Sequence, residues 1–268
     1  MSRSIRLSLL IAVLLVAFET RASAGPYYVR SIATAQTSGN ILNGLTFTND
    51  TGQEQTTSNS AGPFAAHSGG QFYNFDAAAH VLTEIGSVHA SVSTQALSTG
   101  PAGGANASAQ GQWNDTITIT SDSLPNGTLV SFLATIVLHR TITGAPPASA
   151  SASVTGPFGL NLADSLSSPN TAPSVSTIVQ TTVGSVLSAT STLSLQAGAS
   201  GIAPFNLSAA VMAENTATFQ FQPITPGASY STASGVVFVP EPTSAHLVLC
   251  GLVSICLFGL RKIKVRCQ

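Results

Sequence analysis

The stretch DTITITSDSLPNGTLVSFLATIVLHRTITG, residues Asp115 to Gly144, contains the clearest structural signal in the chain. Near its start, Ile117 and Ile119 alternate with threonines, which is the period of two expected of a strand with one buried face. The SLPNG that follows contains proline and Asn-Gly, which favour a turn. The chain is then rich in β-branched residues from Thr128 onward. The simplest prediction is a strand, a turn and a second strand that form a hairpin.

A buried helix over Leu129–Arg140 is the alternative for the second part, because its apolar residues do not separate a buried strand from a buried helix. Elsewhere the same alternation and turn residues recur. We predict further strands in Ala148–Gly156, Ser185–Gly198, Ala217–Gly227 and Tyr230–Pro240, and loops in Asn59–Gly70, Gly100–Asn106 and Leu162–Ser174. The predicted fold is therefore all-β, an antiparallel β-sandwich or a jelly-roll-like arrangement.

Serine and alanine alternate in several of these predicted strands, although both residues are weak strand formers. We expect such strands to present small hydroxylated faces to solvent. We expect the core to come from isoleucine, leucine, valine and phenylalanine on the partner strands. Strands of this kind have a weakly specified register, so we place them at sheet edges.

The middle of the chain, Gly25 to Pro242, has very few cations. Arg30 and Arg140 stand against nine carboxylates, which gives a net charge of −7, and this part contains no lysine. The whole-chain value of −1 conceals this imbalance, because four of the nine basic residues lie in the last eight positions. Binding of a phosphate backbone needs clustered lysine and arginine, so nucleic acid is excluded as a partner.

The three cysteines all lie near the C-terminus, and the middle of the chain has none. A domain of about 200 residues buries roughly 70% of the surface of its unfolded chain, so it folds without disulfides. Thiol catalysis and cysteine-ligated zinc are excluded for this part of the chain.

The N-terminus has the features of a signal peptide. Two arginines precede an apolar run, Leu7–Phe18, that is shorter than the about 20 residues of a membrane-spanning helix. The small residues Ala22 and Ala24 match the usual cleavage pattern. We predict cleavage after Ala24, with an uncleaved N-terminal anchor as the alternative, so that residues 1–24 are removed and residues 25–238 form an exported ectodomain.

The C-terminus, residues 239–268, combines three features in order. It opens with Pro240, Glu241 and Pro242, where the prolines cannot continue a helix. An uncharged, mainly apolar run of 18 residues follows at 243–260. As a helix this run would be about 27 Å long, slightly short of a hydrocarbon core of about 30 Å. A basic cluster then ends the chain: Arg261, Lys262, Lys264 and Arg266.

These features predict a marginal transmembrane helix at 243–260. Because cations beside an apolar run stay in the cytoplasm, the ectodomain would lie outside the inner membrane. The order of Pro-Glu-Pro, apolar run and basic cluster resembles the PEP-CTERM sorting signal of exported bacterial proteins. This resemblance implies an exosortase-like membrane protease as a partner that recognises and processes the tail, and a final location at the cell surface or outside the cell. An ordinary single-pass anchor is the alternative.

A second resemblance concerns a module that recurs in exported proteins of the same family, in which Ser/Ala alternation leads into a Trp-x-Asp-Thr strand and a Pro-x-Gly turn. It implies fold and location more than activity. The matching residues are Trp113, Asp115, Thr116, Pro125 and Gly127.

Few residues of the ectodomain indicate a specific chemistry. Trp113, the only tryptophan, is either a core anchor or a possible glycan contact that stacks on a sugar, with Tyr73 and Phe75 as further aromatic candidates. No GxSxG motif occurs. The remaining polar candidates lack the spacing of a metal site, so we predict no metal and no cofactor: Asp115, Asp122, Asp164, His67, His80, His89 and His139.

We therefore predict a non-catalytic exported protein of the cell surface or extracellular matrix, associated with extracellular polysaccharide or biofilm. A specific, lectin-like carbohydrate-binding module is the first alternative and would need exposed aromatic side chains. A secreted hydrolase is the second alternative and would need histidine and carboxylate groups that converge in one cleft.

Overall fold

A computed structural model describes residues 27–41, 45–58, 60, 62–72, 75–96, 103–144, 147–167, 174–201 and 209–239. The predicted signal peptide, with Ala22 and Ala24, lies outside these residues, and so does the tail from Pro240 onward, with its apolar run and basic cluster. Within the described ranges, no helix is long and apolar enough to cross a bilayer.

The described residues form two antiparallel sheets, which confirms the all-β prediction. Strands are numbered in chain order. Sheet A contains, in spatial order, β2 (Leu45–Ser58), β1 (Tyr28–Ile41), β6 (Gly103–Thr120), β11 (Val186–Gly201), β8 (Ser149–Thr155) and β9 (Asn161–Ser165). A short strand, β13 (Ser229–Thr232), pairs with the last residues of β6 on the edge that β1 leaves free.

Sheet B contains, in spatial order, β10 (Ser174–Thr182), β7 (Leu129–Gly144), β12 (Ala209–Pro223), β5 (Ser87–Ala96), β4 (Phe75–Glu84) and β3 (Phe64–Phe72). Across the core, β1 contacts β3 and β4, β6 contacts β4 and β5, and β11 contacts β5 and β12. The two strand orders therefore run alongside each other, and the sheets lie face to face with their strands aligned, as in a sandwich.

Large side chains fill one end of the space between the sheets, here called the aromatic half. Because each strand alternates buried and solvent-facing positions, the inward residues along its whole length point into the space between the sheets. Aromatic rings from both sheets meet there and stack or tilt against one another. The rings of the aromatic half are those of Trp113, Phe132, Phe158, Phe219, Phe221, Tyr230 and Phe238.

The opposite end of the same strands, here called the alanine half, is filled mainly by methyl groups. Its inward side chains include Ala33, Ala35, Ala77, Ala79, Ala105, Ala107, Ala109, Ala197 and Ala199. The prediction for the Ser/Ala strands is therefore half right. Most of their hydroxyls face outward as expected, although Ser31, Thr37 and Ser191 are buried. Their alanines form part of the core, and β1, β6, β8 and β11 are paired on both sides rather than placed at edges.

The predicted hairpin is wrong, although both of its strands exist. β6 belongs to sheet A and β7 to sheet B, and the loop at residues 121–128 crosses from one sheet to the other. A tight hairpin joins its strands through a loop of about two to five residues, whereas this connection has eight. The alternative of a helix over Leu129–Arg140 is also wrong, since this segment lies within β7.

Three predicted loops turn out to contain strand residues. β3 begins within the predicted loop Asn59–Gly70, β9 ends within the predicted loop Leu162–Ser174, and β6 begins within the Gly-rich segment Gly100–Asn106. Glycine and serine predicted irregular structure there, but the paired neighbours and the thin alanine half accept such small residues in a ladder.

Candidate functional site

Trp113 points from β6 into the aromatic half, and only 1% of it is exposed. Its ring centroid lies 5.5 Å from that of Phe238 and 5.6 Å from that of Phe219. Contacts of this kind are those of a core anchor. The ring has no free face for a sugar, so the prediction of a glycan contact at Trp113 is wrong and its core alternative is correct.

The other aromatic candidates do not supply a sugar platform. Phe75 begins β4 and is 1% exposed, inside the alanine half. Tyr73 lies outside the described residues. Among the residues that the structure describes, the large apolar side chains that are exposed are all aliphatic or methionine. In this part of the chain a lectin-like site therefore has no fully exposed aromatic ring. The aromatic residues there that are partly exposed are Tyr27, Tyr28, Phe64, Phe158 and Tyr230.

Asp115 is fully buried and holds the end of the ectodomain in place. One oxygen of its carboxylate accepts from the backbone N–H of Thr116 at 2.7 Å. The other accepts from the hydroxyl of Ser234 at 2.5 Å, and the backbone N–H of Ser234 donates to the carboxylate at 3.3 Å. These bonds tie the turn after β13 onto β6, so Asp115 has a structural role.

Asp164 is the second buried aspartate, and it forms an ion pair with Arg140. The guanidinium of Arg140 donates to both of its carboxylate oxygens at 2.8 Å, and the Asp164 side chain has 0% exposure. This pair joins β9 of sheet A to β7 of sheet B. Asp122 is exposed on the loop after β6, so the three aspartates lie at three separate places. Over the described ranges, no group of three or more potential metal-binding side chains comes together.

The four histidines of the ectodomain all lie on the outer face of sheet B. His67 on β3 is directly opposite His80 on β4. On β5, the Nδ1 of His89 lies 2.8 Å from the hydroxyl of Thr216, and its Nε2 lies 3.4 Å from a carboxylate oxygen of Glu214. A hydroxyl, an imidazole and a carboxylate thus follow one another, which is the order found in hydrolase triads.

This arrangement lacks the rest of a hydrolytic site. Thr216 is paired with His89 on one side and with His139 on the other, so the ladders engage the backbone around it. No N–H group there is left to stabilise an oxyanion. The side chains of His89 and Glu214 are 34% and 52% exposed on an open sheet face. Their contact is an ordinary cross-strand interaction worth about 0–1 kcal/mol.

The outer face of sheet A has a different character, being covered by hydroxyl and amide groups. We call it the hydroxyl–amide face. Its members come from four adjacent strands, and their register places them in continuous rows. They are Thr34, Gln36, Asn106, Ser108, Gln110, Asn114, Ser151, Ser153, Thr190, Thr192, Ser194 and Gln196.

Several of these groups bond to each other across the strands. The hydroxyls of Thr34 and Ser108 lie 2.6 Å apart, and the amide of Asn114 donates to the hydroxyl of Thr190 at 2.7 Å. A shallow groove of about 420 Å³ lies on sheet B, whereas the hydroxyl–amide face has one of about 320 Å³ lined by Thr34, Gln196 and their neighbours. The donors and acceptors of the hydroxyl–amide face are held in a flat array that suits hydrogen bonding to an extended polar ligand.

The sequence predicted the hydroxylated outward positions but missed the face as a whole. Its rows join residues that are about 40 to 90 positions apart in the chain, such as Ser108 and Gln196. The signal available was the regular alternation of alanine with serine, threonine, asparagine and glutamine in several segments. Which of these segments are neighbours could not be read from their local pattern.

No protein-family model matches the chain, and no curated protein matches it.

Proposed function

We propose that the chain is a non-catalytic exported protein of the cell surface or extracellular matrix. In this proposal residues 1–24 are a signal peptide that is cleaved after Ala24. The ectodomain, residues 25–238, is then held at the membrane by the helix at 243–260. An exosortase-like protease recognises the tail through its Pro-Glu-Pro and basic cluster and processes it, leaving the ectodomain at the surface or in the medium.

The ectodomain is a jelly-roll-like sandwich in this proposal, and its two face-to-face sheets support that assignment. Its role is passive association with extracellular polysaccharide or biofilm. The observation that supports this role most is the hydroxyl–amide face. Polysaccharides expose hydroxyl groups along an extended chain, and uncharged donors and acceptors in rows can bond to them without aromatic stacking. The −7 charge of residues 25–242, which contain only two arginines, disfavours nucleic acid.

The two alternatives have less support. A lectin-like module relied on Trp113, Tyr73 and Phe75. Trp113 and Phe75 are buried, and Tyr73 lies outside the described residues. A hydrolase has only the His89, Thr216 and Glu214 contact on an open face. We therefore propose no catalytic residue, no cofactor and no metal for the described part of the chain.

Sorting is tested by deleting Pro240–Gln268 and following the protein in the membrane, surface and medium fractions. The proposal expects the deleted chain to lose membrane attachment and to give no processed form. A matched variant changes Pro240, Glu241 and Pro242 to alanine but keeps the apolar run and basic cluster. It should remain in the membrane unprocessed. Unchanged processing and surface localisation of both variants would contradict the sorting proposal.

Association with polysaccharide is tested by co-sedimentation with the extracellular polysaccharide of the cells that make the protein. Changing Thr34 and Gln196 together to alanine removes part of the hydroxyl–amide face and should weaken binding severalfold. The control changes Ser93 and Gln95 to alanine, which lie on the outer face of sheet B. Equal binding by the two variants and the wild-type chain would remove the support for this role.

A further inference from the structure

The end of the sandwich from which the tail leaves has an unusual surface. The segment 236–239 returns along the aromatic half after β13. The hydroxyl of Thr232 donates to the carbonyl of Val236 at 2.7 Å, and the hydroxyl of Tyr230 donates to that of Phe238 at 3.2 Å. The segment therefore runs antiparallel to β13 and leads toward the loops 121–128, 183–185 and 224–228. We call these loops and the segment 236–239 the tail-proximal end.

Exposed apolar side chains gather at this end. In the described residues, seven large apolar side chains are exposed. Two of them, Ile178 and Met212, lie inside strands β10 and β12, away from this end. The other five are at the tail-proximal end or within a residue of it: Leu129, Val186, Ile224, Val237 and Val239.

Backbone contacts place these residues at the same end. Leu129 is opposite Thr182, the last residue of β10, and Val186 follows the short turn after that strand. The N–H of Ile224 donates to the carbonyl of Ser131, two residues from Leu129. The exposed side chains thus come from both sheets and from the final segment. Asp122 is the only charged residue in the loops and segment that define this end.

The tail restricts how far this end can be from a membrane. Only three residues separate Val239 from the apolar run that starts at Thr243. A fully extended chain covers at most about 3.6 Å per residue, so the run begins within about 14 Å of Val239. The headgroup layer on each side of a bilayer is roughly 5–8 Å thick. An anchored chain therefore holds Val239 no farther than about 6–9 Å beyond the headgroup layer, so the apolar side chains of this end can reach that layer.

We propose that the tail-proximal end is a membrane-contact surface, which rests on the lipid headgroup layer while the tail is still attached. This inference depends on the proposed function, since it needs the tail to be an anchor. Its partner is the lipid bilayer itself. Exposed aliphatic side chains gain by leaving water at such an interface, and the near absence of charge keeps the cost of approach low. The hydroxyl–amide face then stands away from the bilayer, free to meet polysaccharide.

The experiment compares two single-cysteine variants of the full chain, Ile224→Cys and Met212→Cys. The two side chains are equally exposed, at 50% each, but only Ile224 belongs to the tail-proximal end. The three tail cysteines are changed to serine, and each variant is labelled with an environment-sensitive fluorophore. The chain is purified from membranes after loss of residues 1–24 but with its C-terminal tail uncleaved, and it is reconstituted into phosphatidylcholine vesicles. Quenching by lipid-borne nitroxide and by aqueous iodide is then measured.

We expect the label at position 224 to be quenched by the lipid nitroxide at least twofold more than the label at 212, and to be protected from iodide. Variants that float with the vesicles but show equal quenching at both positions would overturn this inference and leave the anchor in place. A chain that does not float with the vesicles would overturn both the anchor and the contact surface.

Discussion

In the aromatic half, large rings fill the space between the sheets, whereas in the alanine half most inward positions carry a methyl group. Each buried ring removes 150–250 Å² from water, about 4–6 kcal/mol at 25 cal/mol per Å². A buried methyl contributes only about 0.8 kcal/mol. The aromatic half is thus stabilised by side-chain burial. The alanine half depends more on its backbone ladders and on the close approach of the sheets.

The close approach of the two sheets begins at Gly111. This glycine lies on β6 two residues before Trp113, and a Cβ at Gly111 would collide with Val88 of the opposite sheet and come within 2.5 Å of the Thr83 hydroxyl oxygen. Substitutions should therefore destabilise the two halves for opposite reasons. The aromatic half should be sensitive to lost volume, and the alanine half to added volume or to broken polar contacts.

The largest effect should follow from removing the central ring. Trp113→Ala leaves a cavity between Phe219 and Phe238 and should lower the free energy of unfolding by about 3–5 kcal/mol. Chemical denaturation of the ectodomain measures this change. Leu129→Ala is the control, because that side chain is 65% exposed and should change stability by no more than about 0.5 kcal/mol. A small effect of Trp113→Ala would remove the distinction between the halves.

The next effect concerns the ion pair between Arg140 and Asp164, which joins the two sheets in the alanine half. Arg140→Ala leaves the buried carboxylate of Asp164 without its partner and should cost about 3 kcal/mol, the low end for a buried pair, because the Arg140 side chain is 31% exposed. The double variant with Asp164→Ala should be more stable than Arg140→Ala alone. Additive losses in a double-mutant cycle would show that the pair does not act as a unit.

Added volume should harm the alanine side at Gly111, where side chains of the opposite sheet lie against the glycine. Gly111→Ala should destabilise the ectodomain by about 1–3 kcal/mol, because the new methyl forces Val88 or the strands to move. Gly69→Ala is the matched control on β3, where the nearest atom to the added carbon is 3.9 Å away. Equal thermal midpoints for the two variants would mean that the sheets can separate at little cost.

The smallest effect is pH-dependent and lies in the aromatic half. Burial raises the pKa of the Tyr230 hydroxyl above its ordinary value of 10.0. The folded state therefore holds this proton more tightly than the unfolded state, and its contribution to stability is lost as pH rises from about 10 through the folded-state pKa. Tyr230→Phe should remove this part of the alkaline decline.

At neutral pH the same substitution loses the bond from the hydroxyl to the carbonyl of Phe238 and should cost about 0.5–1.5 kcal/mol. Unfolding measured between pH 7 and pH 11 separates the two effects. A wild-type and a variant curve that remain parallel above pH 10 would contradict the predicted titration.

The fold class was predictable because alternation is a local property. Ile117 and Ile119 point inward as their spacing predicts, and so do Phe219 and Phe221. Strand pairing was not predictable, because it depends on partners far along the chain. The hairpin prediction was wrong for this reason, since β6 pairs with β11 and β1 while β7 pairs with β12 and β10.

The burial of particular side chains could not be predicted from the local sequence pattern either. Trp113 and Asp115 lie on inward positions of β6, and the sequence shows that they share a face but not that this face is the core. Alanine was judged by its weak strand propensity. Two sheets that approach closely make it a core residue instead, as at Ala107 and Ala199.

The central claim is that both ends of the chain are processed and that the sandwich works outside the inner membrane. Intact-mass measurement of the protein recovered from membranes and from medium tests this claim most directly. The account predicts a chain that starts at Gly25 and, after sorting, ends near Pro240–Pro242. A full-length chain from Met1 to Gln268 recovered from the cytoplasm would contradict it.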